Sequence, residues 1–515
     1  MRTYRMRIRA IGMACVAVAM SLAMSMGTVQ VPAGYSSGFR PSDHRGDVIV
    51  TAFQYNWRSV ARECTQVLGP AGVGYVQVSP PQESILGSSW WTSYQPVSYA
   101  LDSKEGTTSE FRDMIRQCKA AGVGVVVDAV INHTTGVDTA QGVGTAGNTY
   151  TNTGDFPAVP YTSEDFHSCT ENIMNYRDVT DVQECRVSGL QDLDTSSTHV
   201  RSVLAQYFAT LLDLGVSGFR VDAVKHIAAD DVLAIKRIVA EKTGRSIDDI
   251  WWMQEVIGNV NEAEEIQPDR YLRSGQVNEF QYAYRLKRLF DDSLMGGSLT
   301  LDEISSNLVS SSQASVFVTN WDTERDGSTL TYKDGDKYTL ATAFMLAYPY
   351  GSVNVFSGYR FTDRDAGAPG ATDDSVPDTT CDASRTTTGW TCFDRNASVI
   401  GMVGWHNIAG DAPVVDWQSD GDNVVGFGRG GRAFIVMNNS SQDSRVSYRT
   451  SLPAGRYCNV YKDSACSSTI RVGVDGRFSA TVPAGSAVAI HVAATPSTWH
   501  GTAARDASDP DWYGN

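Results

Sequence analysis

The sequence predicts an α/β fold: a (β/α)8 TIM barrel with an inserted subdomain after strand 3 and a C-terminal antiparallel β-sandwich domain. Three observations lead to this prediction. Eight short apolar segments alternate with helical patterns along most of the chain, which is typical of a parallel barrel. A long polar segment interrupts this alternation after the third strand. Beyond about residue 405, short alternating strands follow one another.

Each barrel element follows from its own periodicity, apolar stretches for strands and 3.6-residue spacing for helices. The predicted strands are 47–53, 74–79, 123–130, 218–223, 252–256, 277–280, 315–320 and 353–356. The predicted helices are 57–68, 109–121, 198–214, 230–241, 282–290 and 337–347. The barrel therefore comprises residues 43–133 and 192–403, and the inserted subdomain comprises residues 134–191. The sandwich comprises residues 404–494, and the apolar-poor tail 495–515 is expected to be disordered.

The amino terminus has the pattern of a secretory signal peptide, which we place at residues 1–34. Four arginines precede an apolar run that is too short for a typical membrane span. Since no later segment is long and apolar enough to cross a bilayer, we expect a secreted, extracellular protein that does not bind membranes. The formal charge of −16 argues against nucleic acid as a partner. An uncharged ligand fits better, and we expect a monomer.

Cysteine usage agrees with export. Removal of Cys15 with the signal leaves eight cysteines, and an even number without a Cys-x-x-Cys motif indicates disulfides rather than metal thiolates. The number alone does not fix the pairing. The pairs 169–185, 381–392 and 458–466 are close in sequence and would leave 64 with 118.

The fourth predicted strand ends in a dense cluster of charge, Gly218-Phe-Arg-Val-Asp-Ala-Val-Lys-His226. Period-two alternation places Arg220 and Asp222 on one face of this strand. Active sites of parallel barrels lie at the carboxyl ends of the strands, so we interpret the cluster as catalytic rather than as a surface ion-pair cluster.

Three carboxylates, Asp222, Glu255 and Asp322, follow the fourth, fifth and seventh predicted strands. Glycoside hydrolysis needs two converging carboxyl groups, one to attack the sugar and one to hold a proton. The other carboxylates, together with burial against Trp251 and Trp252, would raise the pKa of Glu255. The alternative is that each acid merely caps a helix, which is common for a single Asp but less so for three.

Two further groups suggest ligand contacts. Trp90, Trp91, Tyr94 and Gln95 follow the second strand among polar residues, and aromatic faces stack well on sugar rings; ordinary core aromatics are the alternative. The third strand ends in Asp128-Ala-Val-Ile-Asn-His133. There, His133 could donate to a sugar hydroxyl, and Asn132 with Asp192 offers oxygens suited to calcium. A lone Asn or His at a strand end is, however, more often structural.

Together these motifs resemble those of the α-amylases, the calcium-dependent clan of retaining glycoside hydrolases with a (β/α)8 barrel. The resemblance extends over residues 47–492. It is strongest in four blocks: Asp128-Ala-Val-Ile-Asn-His133, Gly218-Phe-Arg-Val-Asp-Ala-Val-Lys-His226, Trp252-Met-Gln-Glu255 and Phe317-Val-Thr-Asn-Trp-Asp322.

The resemblance implies a role for each matching residue. Asp222 corresponds to the nucleophile, Glu255 to the general acid/base, and Asp322 to the carboxylate that holds sugar hydroxyls. Arg220 corresponds to the residue that orients the nucleophile. The implied sugar contacts also include Trp90, Trp91, Tyr94, Gln95, His133, Lys225, His226 and Trp321. The implied calcium ligands are Asn132, Asp192 and the carbonyls of Gln183 and His226. The cysteine pairs also fall where animal-type members carry disulfides.

The sequence departs from the family pattern in two places. Thr319 and Trp321 replace an Asp and a sugar-binding His, but Trp retains a stacking face and an N–H donor. Arg220 and Asn320 match two chloride-binding residues of animal-like members, whereas Asn354 replaces the second basic residue. An amide holds an anion poorly, so chloride binding is doubtful.

The sequence therefore predicts an endo-acting α-amylase that cleaves internal α-1,4-glucosidic bonds of starch or glycogen with retention of configuration. The alternatives are a clan member with transglycosylase or maltogenic specificity, and a catalytically inactive carbohydrate-binding relative.

Overall fold

The computed structural model describes residues 46–137, 141–381 and 388–498. Eight parallel strands form a closed barrel in sequential order, β1 pairing with β8. They are β1 Ile49–Ala52, β2 Tyr75–Val78, β3 Gly124–Ala129, β4 Gly218–Val221, β5 Trp251–Gln254, β6 Gln276–Asn278, β7 Ala314–Phe317 and β8 Ser352–Ser357. The predicted barrel is confirmed, although most strands are shorter than the apolar segments that predicted them. Within the described residues, no helix has the length and apolarity needed to span a membrane.

Strand alternation separates the barrel interior from the helix-facing side. Ile49, Tyr75, Val126, Trp251 and Met253 form an apolar cluster. Trp251 packs edge-on against Tyr75 with ring centroids 4.8 Å apart. Trp252, on the opposite face of β5, packs against Phe208 at 4.7 Å. The two tryptophans therefore lie on opposite faces of β5.

The helices begin where side chains can satisfy their first N–H groups. Thr107 and Glu110 form a reciprocal capping box before the second helix. Asn320 accepts hydrogen bonds from the backbone N–H groups of Asp322 and Thr323. The main helices are Trp57–Glu63, Thr108–Ala120, Thr198–Asp213, Ala229–Thr243, Phe280–Asp291, Trp321–Asp326, Asp336–Ala347 and Ala397–Ala409.

The last two helices lie between the barrel and the C-terminal sheet. Trp405 donates from its indole N–H to the carbonyls of Phe434 and Ile490 in that sheet. Helix Ala397–Ala409 is apolar on several sides because it is covered by both domains, so it lacks a one-sided pattern. It spans the boundary that we placed between residues 403 and 404. The helix ends at the turn at Gly410, where φ is 51°.

The C-terminal part is an antiparallel β-sandwich. Strands Val414–Ser419, Val424–Arg429, Ala433–Asn438 and Ser486–His491 form one sheet, and strand pairs Ser444–Arg449/Arg477–Val482 and Gly455–Cys458/Thr469–Val472 cover it. Phe434 and Phe478 meet edge-on between these layers at 5.4 Å. Buried Arg429 donates to the carbonyls of Ala347, Gly410 and Ala412, which fixes the sandwich to the barrel.

The inserted segment contains two small antiparallel pairs, His133–Gly136 with Leu190–Asp192 and Gln141–Val143 with Thr149–Thr151. It also contains the short helix Val179–Glu184. Phe156 and Tyr161 are almost fully buried, so the segment has a small aromatic core that its polar composition did not indicate.

Four disulfides join Cys64–Cys118, Cys169–Cys185, Cys381–Cys392 and Cys458–Cys466, which confirms the pairing suggested by sequence proximity. The predicted signal peptide (1–34) and residues 499–515 of the predicted disordered tail lie outside the described residues.

Candidate active site

Two carboxylates, at the carboxyl ends of β4 and β5, contact the buried guanidinium of Arg220. Asp222 follows β4 directly and Glu255 follows β5 directly. Arg220 contacts Asp222 Oδ1 through Nη1 at 2.6 Å and Glu255 Oε1 through Nη2 at 2.7 Å. Two carboxyls on adjacent nitrogens of one planar group can act on the same bond, and retaining glycosidases use a separation of about 5 Å.

Asp128 contributes a third ion pair to the same guanidinium. Arg220 Nη1 lies 2.7 Å from Asp128 Oδ1, and the Tyr94 hydroxyl donates to Asp128 Oδ2 at 2.7 Å. Asp128 opens the third-strand block Asp128–His133, but no role for it was predicted from the sequence. Its register could have revealed it, because Asp128 lies beside Arg220 in the β3–β4 pair and therefore shares its face.

Burial and mutual repulsion raise the pKa values of these acids. Burial raises the pKa of Glu255, Arg220 lowers it, and the Asp222 carboxylate raises it again. Burial also raises the pKa of Asp222, and Arg220 opposes that rise. The pKa of Asp322 is raised to about 7 by burial and by Glu255. The cluster is thus suited to keeping a proton on one carboxyl while another is ionised.

Asp222 and Asp322 line a cavity of about 370 Å³. Trp90, Trp91, Tyr94 and Trp321 form an aromatic wall, and the inserted subdomain supplies Val187, Ser188 and Leu190. Gln95, His133 and Ala223 complete the lining. Six predicted sugar contacts therefore meet beside two predicted catalytic acids. Three others, Arg220, Lys225 and His226, do not line this cavity.

Several polar groups predicted to contact sugar are already bound to protein. His133 Nε2 lies 3.0 Å from the carbonyl of Tyr94, and burial lowers the pKa of His133 to about 4, so its ring is neutral. Gln95 accepts a hydrogen bond from the backbone N–H of Gly136 at 2.8 Å. Both side chains therefore also fix the loop that carries the tryptophans.

The Trp321 ring is buried in the aromatic wall, where other protein groups already contact it. Its ring is parallel to Phe53, with centroids 5.1 Å apart and an interplanar angle of 4°. The guanidinium of Arg220 lies over the same ring, 4.8 Å from its centroid. Trp321 thus contacts the residue that holds both carboxylates.

Comparisons with known proteins agree with this geometry. A family model described as "Alpha amylase, catalytic domain" matches residues 90–398, and one described as "Alpha amylase, C-terminal all-beta domain" matches residues 415–493. An α-amylase of Streptomyces violaceus is 42% identical over 478 residues, which cover 93% of this chain and 79% of that protein. An α-amylase of Tenebrio molitor is 39% identical over 473 residues, covering 86% and 97% respectively. The chain belongs to the α-amylase family.

Solved α-amylase structures show the same fold. Wild-type α-amylase I from Eisenia fetida matches with a TM-score of 0.80 at 33% identity, covering 89% of this chain and 99% of that one. A glutamate-to-glutamine mutant of that α-amylase, solved as a complex with maltohexaose, matches with a TM-score of 0.81 at 32% identity.

Lys225 and His226 do not line the cavity; Lys225 reaches the loop that follows β5, whereas His226 Nδ1 lies 3.2 Å from the carbonyl of Val182 in the insertion. Lys225 Nζ donates to Glu262 at 2.6 Å and to the carbonyl of Ile257 at 3.0 Å. It also lies 5.0 Å from the ring centroid of Tyr176. These partners, Ile257, Glu262 and Tyr176, were not predicted from the sequence, because only the fold brings their loops to Lys225.

The predicted calcium ligands form two groups, Asn132 with Asp192 and Gln183 with the turn at His226. Asn132 donates to Asp192 Oδ1 at 3.1 Å, and His167 Nδ1 lies 2.7 Å from Asp192 Oδ2. Gln183 lies beside the His226 turn, since its amide donates to the carbonyl of Ile227 at 3.4 Å. The described residues contain no cluster of three or more His, Cys, Asp or Glu side chains suited to a metal. The predicted set has one carboxylate, one amide and two carbonyls, and this all-oxygen chemistry fits calcium.

The three residues at the chloride-ligand positions all make contacts with other protein groups. Arg220 is paired with the three carboxylates described above, and Asn320 caps helix Trp321–Asp326. Asn354 accepts from the Thr51 hydroxyl at 2.8 Å and donates to Gln77 at 3.1 Å. Its amide is therefore part of a neutral hydrogen-bond chain inside the barrel.

Proposed function

We propose that this protein is an endo-acting α-amylase that hydrolyses internal α-1,4-glucosidic bonds of starch or glycogen with retention of configuration. The observation that carries the proposal is the shared contact of Asp222 and Glu255 with Arg220, beside a cavity walled by aromatic residues. Family membership and the maltohexaose complex of the Eisenia α-amylase support the choice of α-glucan as substrate.

The two carboxyls have complementary roles in this reaction. Asp222 attacks the anomeric carbon and forms a glycosyl-enzyme, while Glu255 protonates the departing glycosidic oxygen. Glu255 then removes a proton from water, which attacks the same carbon and releases Asp222. The raised pKa of Glu255, to which the Asp222 carboxylate contributes, supports the acid role, and the lowering effect of Arg220 on the pKa of Asp222 supports the nucleophile role.

Asp322 and the aromatic wall bind the sugar that reacts. Asp322 accepts hydrogen bonds from ring hydroxyls, and Trp90, Trp91 and Tyr94 stack on apolar sugar faces. Chloride has no part in this scheme, because the Asn354 amide supplies no positive charge.

Calcium holds the inserted subdomain against the barrel in this proposal. Asn132, Asp192 and the carbonyls of Gln183 and His226 would hold the ion through oxygen atoms, and calcium there would balance the charge of buried Asp192. The ion is structural, because these residues lie outside the lining of the catalytic cavity.

Export to the extracellular medium also belongs to the proposal. Its supports are the pattern of residues 1–34 and the four disulfides, since disulfides persist in oxidising compartments.

Starch hydrolysis by Glu255→Gln tests the assignment. Loss of the general acid should lower kcat by about a hundredfold or more. Glu241→Gln, an exposed glutamate on helix Ala229–Thr243, is the matched control and should retain wild-type activity. NMR of the first products should show the α anomer, and their early length distribution should be mixed, as endo attack requires. Undiminished hydrolysis by Glu255→Gln would contradict the proposal.

A further inference from the structure

The outer surface of the C-terminal sandwich carries a cluster of arginines. Burial alternates along strands Ser444–Arg449 and Arg477–Val482, so every second side chain faces solvent. On these strands and on the neighbouring strands Gly455–Cys458 and Thr469–Val472, five of the exposed side chains are arginines: Arg445, Arg449, Arg456, Arg471 and Arg477. We call this surface the arginine face.

Strand pairing places these arginines opposite one another. Arg449 lies directly opposite Arg477, and Arg456 lies directly opposite Arg471. The two strand pairs are neighbours, because the strand that carries Arg471 contacts the strand that carries Arg477. Like charges directly opposite each other destabilise a sheet. The sandwich contains this unfavourable arrangement twice, which indicates a function other than folding.

Nearby acidic side chains bind the backbone rather than these arginines. Asp443 accepts a hydrogen bond from the backbone N–H of Ala484, and Asp475 accepts one from the backbone N–H of Arg477. In the part of the chain that the structure describes, no acidic side chain forms an ion pair with any of the five guanidinium groups. The arginine face is therefore a local region of positive charge on a chain whose formal charge is −16.

The side chains of the arginine face favour a carbohydrate with acidic groups as the partner. A guanidinium binds a carboxylate through two parallel N–H···O bonds. The remaining exposed side chains on the four strands carry hydroxyls, which exchange hydrogen bonds with sugar hydroxyls: Ser447, Thr469, Ser479 and Thr481. None of the exposed side chains on these four strands is aromatic or apolar. Base stacking, insertion into a membrane and the core of a protein interface all require such side chains.

We propose that the arginine face binds a linear polyuronate, an acidic polysaccharide that carries one carboxylate on each sugar unit. Opposed residues of an antiparallel pair have Cα atoms about 4.5–5.5 Å apart, so the paired arginines present positive charges at short, regular intervals, as the polyuronate presents negative ones. The inner side of the same strands packs against the sheet that Trp405 and Arg429 join to the barrel. The arginine face therefore lies on the side of the sandwich opposite the barrel, and a bound polyuronate leaves the catalytic cavity open.

Calorimetric titration of the whole protein with polygalacturonate at pH 7 tests the proposal. Wild-type protein should bind at low ionic strength, and added salt should weaken the binding because the contacts are exposed ion pairs. A variant that combines Arg449→Gln, Arg456→Gln, Arg471→Gln and Arg477→Gln should bind about tenfold more weakly or worse. Its starch hydrolysis should equal that of wild type, and its Tm should not fall, since both like-charge pairs are removed.

The matched control removes the same amount of charge from exposed helix positions of the barrel, through Arg112→Gln, Lys119→Gln, Arg237→Gln and Lys242→Gln. This control should bind polygalacturonate as wild type does. Equal losses in the two variants would overturn the proposal, because net charge alone would then explain the binding.

Three further ligands identify the chemistry that the arginine face recognises. Fully methyl-esterified polygalacturonate lacks the carboxylates and should not bind. Binding of this neutral polymer as tight as that of polygalacturonate would overturn the role of the arginines. Tighter binding of single-stranded DNA, or of phosphatidylglycerol vesicles, than of polygalacturonate would overturn the choice of a polyuronate as the partner. Wild-type protein that does not bind polygalacturonate at low ionic strength would overturn the proposal outright.

Discussion

At the scale of single residues, one guanidinium organises the charges of the active site. Arg220 is 2% exposed and is paired with Asp128, Asp222 and Glu255. A lysine could not replace it, because a single ammonium lacks the planar fork that reaches carboxyls on different strands. The same residue lowers the pKa of every acid that it touches, so it keeps part of the cluster ionised at neutral pH.

Glu324 is a buried carboxyl, and its ionisation should affect the stability of the native state. It is 4% exposed, and burial raises its pKa to about 8, although the nearby cations Arg325 and Lys333 oppose the rise. Other titratable groups close to it are Tyr332, Tyr338 and Tyr359. In the unfolded chain the pKa would be near its ordinary value of 4.5. Between these two pH values the native state binds more protons, so stability falls as pH rises from 4.5 toward 8.

Glu324→Gln should remove this pH dependence, because glutamine cannot ionise. Relative to wild type, the variant should gain on the order of a few kcal/mol at pH 8 and little near pH 4.5. Urea unfolding of both proteins at the two pH values measures the difference. A stability difference that is the same at both would show that Glu324 ionises normally in the native state.

At the scale of elements, helix Trp321–Asp326 carries both Asp322 and an arginine that joins it to the tryptophan loop. The guanidinium of Arg325 lies 4.8 Å from the ring centroid of Trp90 and 4.6 Å from that of Phe361. Arg325 Nε donates to the carbonyl of Arg364 at 2.9 Å, and the Trp90 indole donates to the same carbonyl at 3.0 Å. The position of the aromatic wall therefore depends on this helix.

Arg325→Met should weaken substrate binding because the wall loses the contact that aligns Trp90. We expect kcat/KM for maltoheptaose to fall by about tenfold, mainly through KM, as one buried cation–π contact and its hydrogen bonds are lost. Steady-state kinetics measure this effect. Lys333→Met is the matched control, since the Lys333 ammonium also lies 4.5 Å from the Phe361 ring but has Tyr332, not Trp90, as its other ring neighbour. Equal KM values for Arg325→Met and wild type would show that Trp90 is aligned by other contacts.

Most secondary-structure elements could be predicted from the sequence, whereas contacts between distant loops could not. The eight strands were predictable because each is a short run of buried residues between turn signals. Helix Ala397–Ala409 was not, since burial on several sides leaves no amphipathic pattern. The three acids could be located by strand order alone. The Phe53–Trp321 stack and the Arg325 contacts join distant loops, and no local pattern encodes such pairs.

At the scale of the whole molecule, the catalytic cavity is lined by two parts of the chain, the barrel and the inserted subdomain, whose buried side chains belong to one continuous core. The barrel supplies the acids, and the inserted subdomain supplies Val187, Ser188 and Leu190 of the opposite wall. The two are joined where His133 pairs with Asp192, at the end of the insertion. Activity should therefore depend on how firmly this junction is held.

Removal of calcium should loosen the junction and lower both stability and activity. A chelator should lower Tm by a few degrees, since an ion present at about a hundred times its Kd stabilises the native state by about 2.7 kcal/mol. Readdition of calcium should restore Tm and kcat, whereas magnesium should not, because it prefers a smaller octahedral site. Asp192→Asn removes the only carboxylate of the proposed ligand set and should behave like the chelated wild type even with calcium present. Calcium-dependent Tm values in Asp192→Asn equal to those of wild type would place the ion elsewhere, and the wall of the cavity would then be held by protein contacts such as the Cys169–Cys185 disulfide and the buried aromatic residues of the insertion.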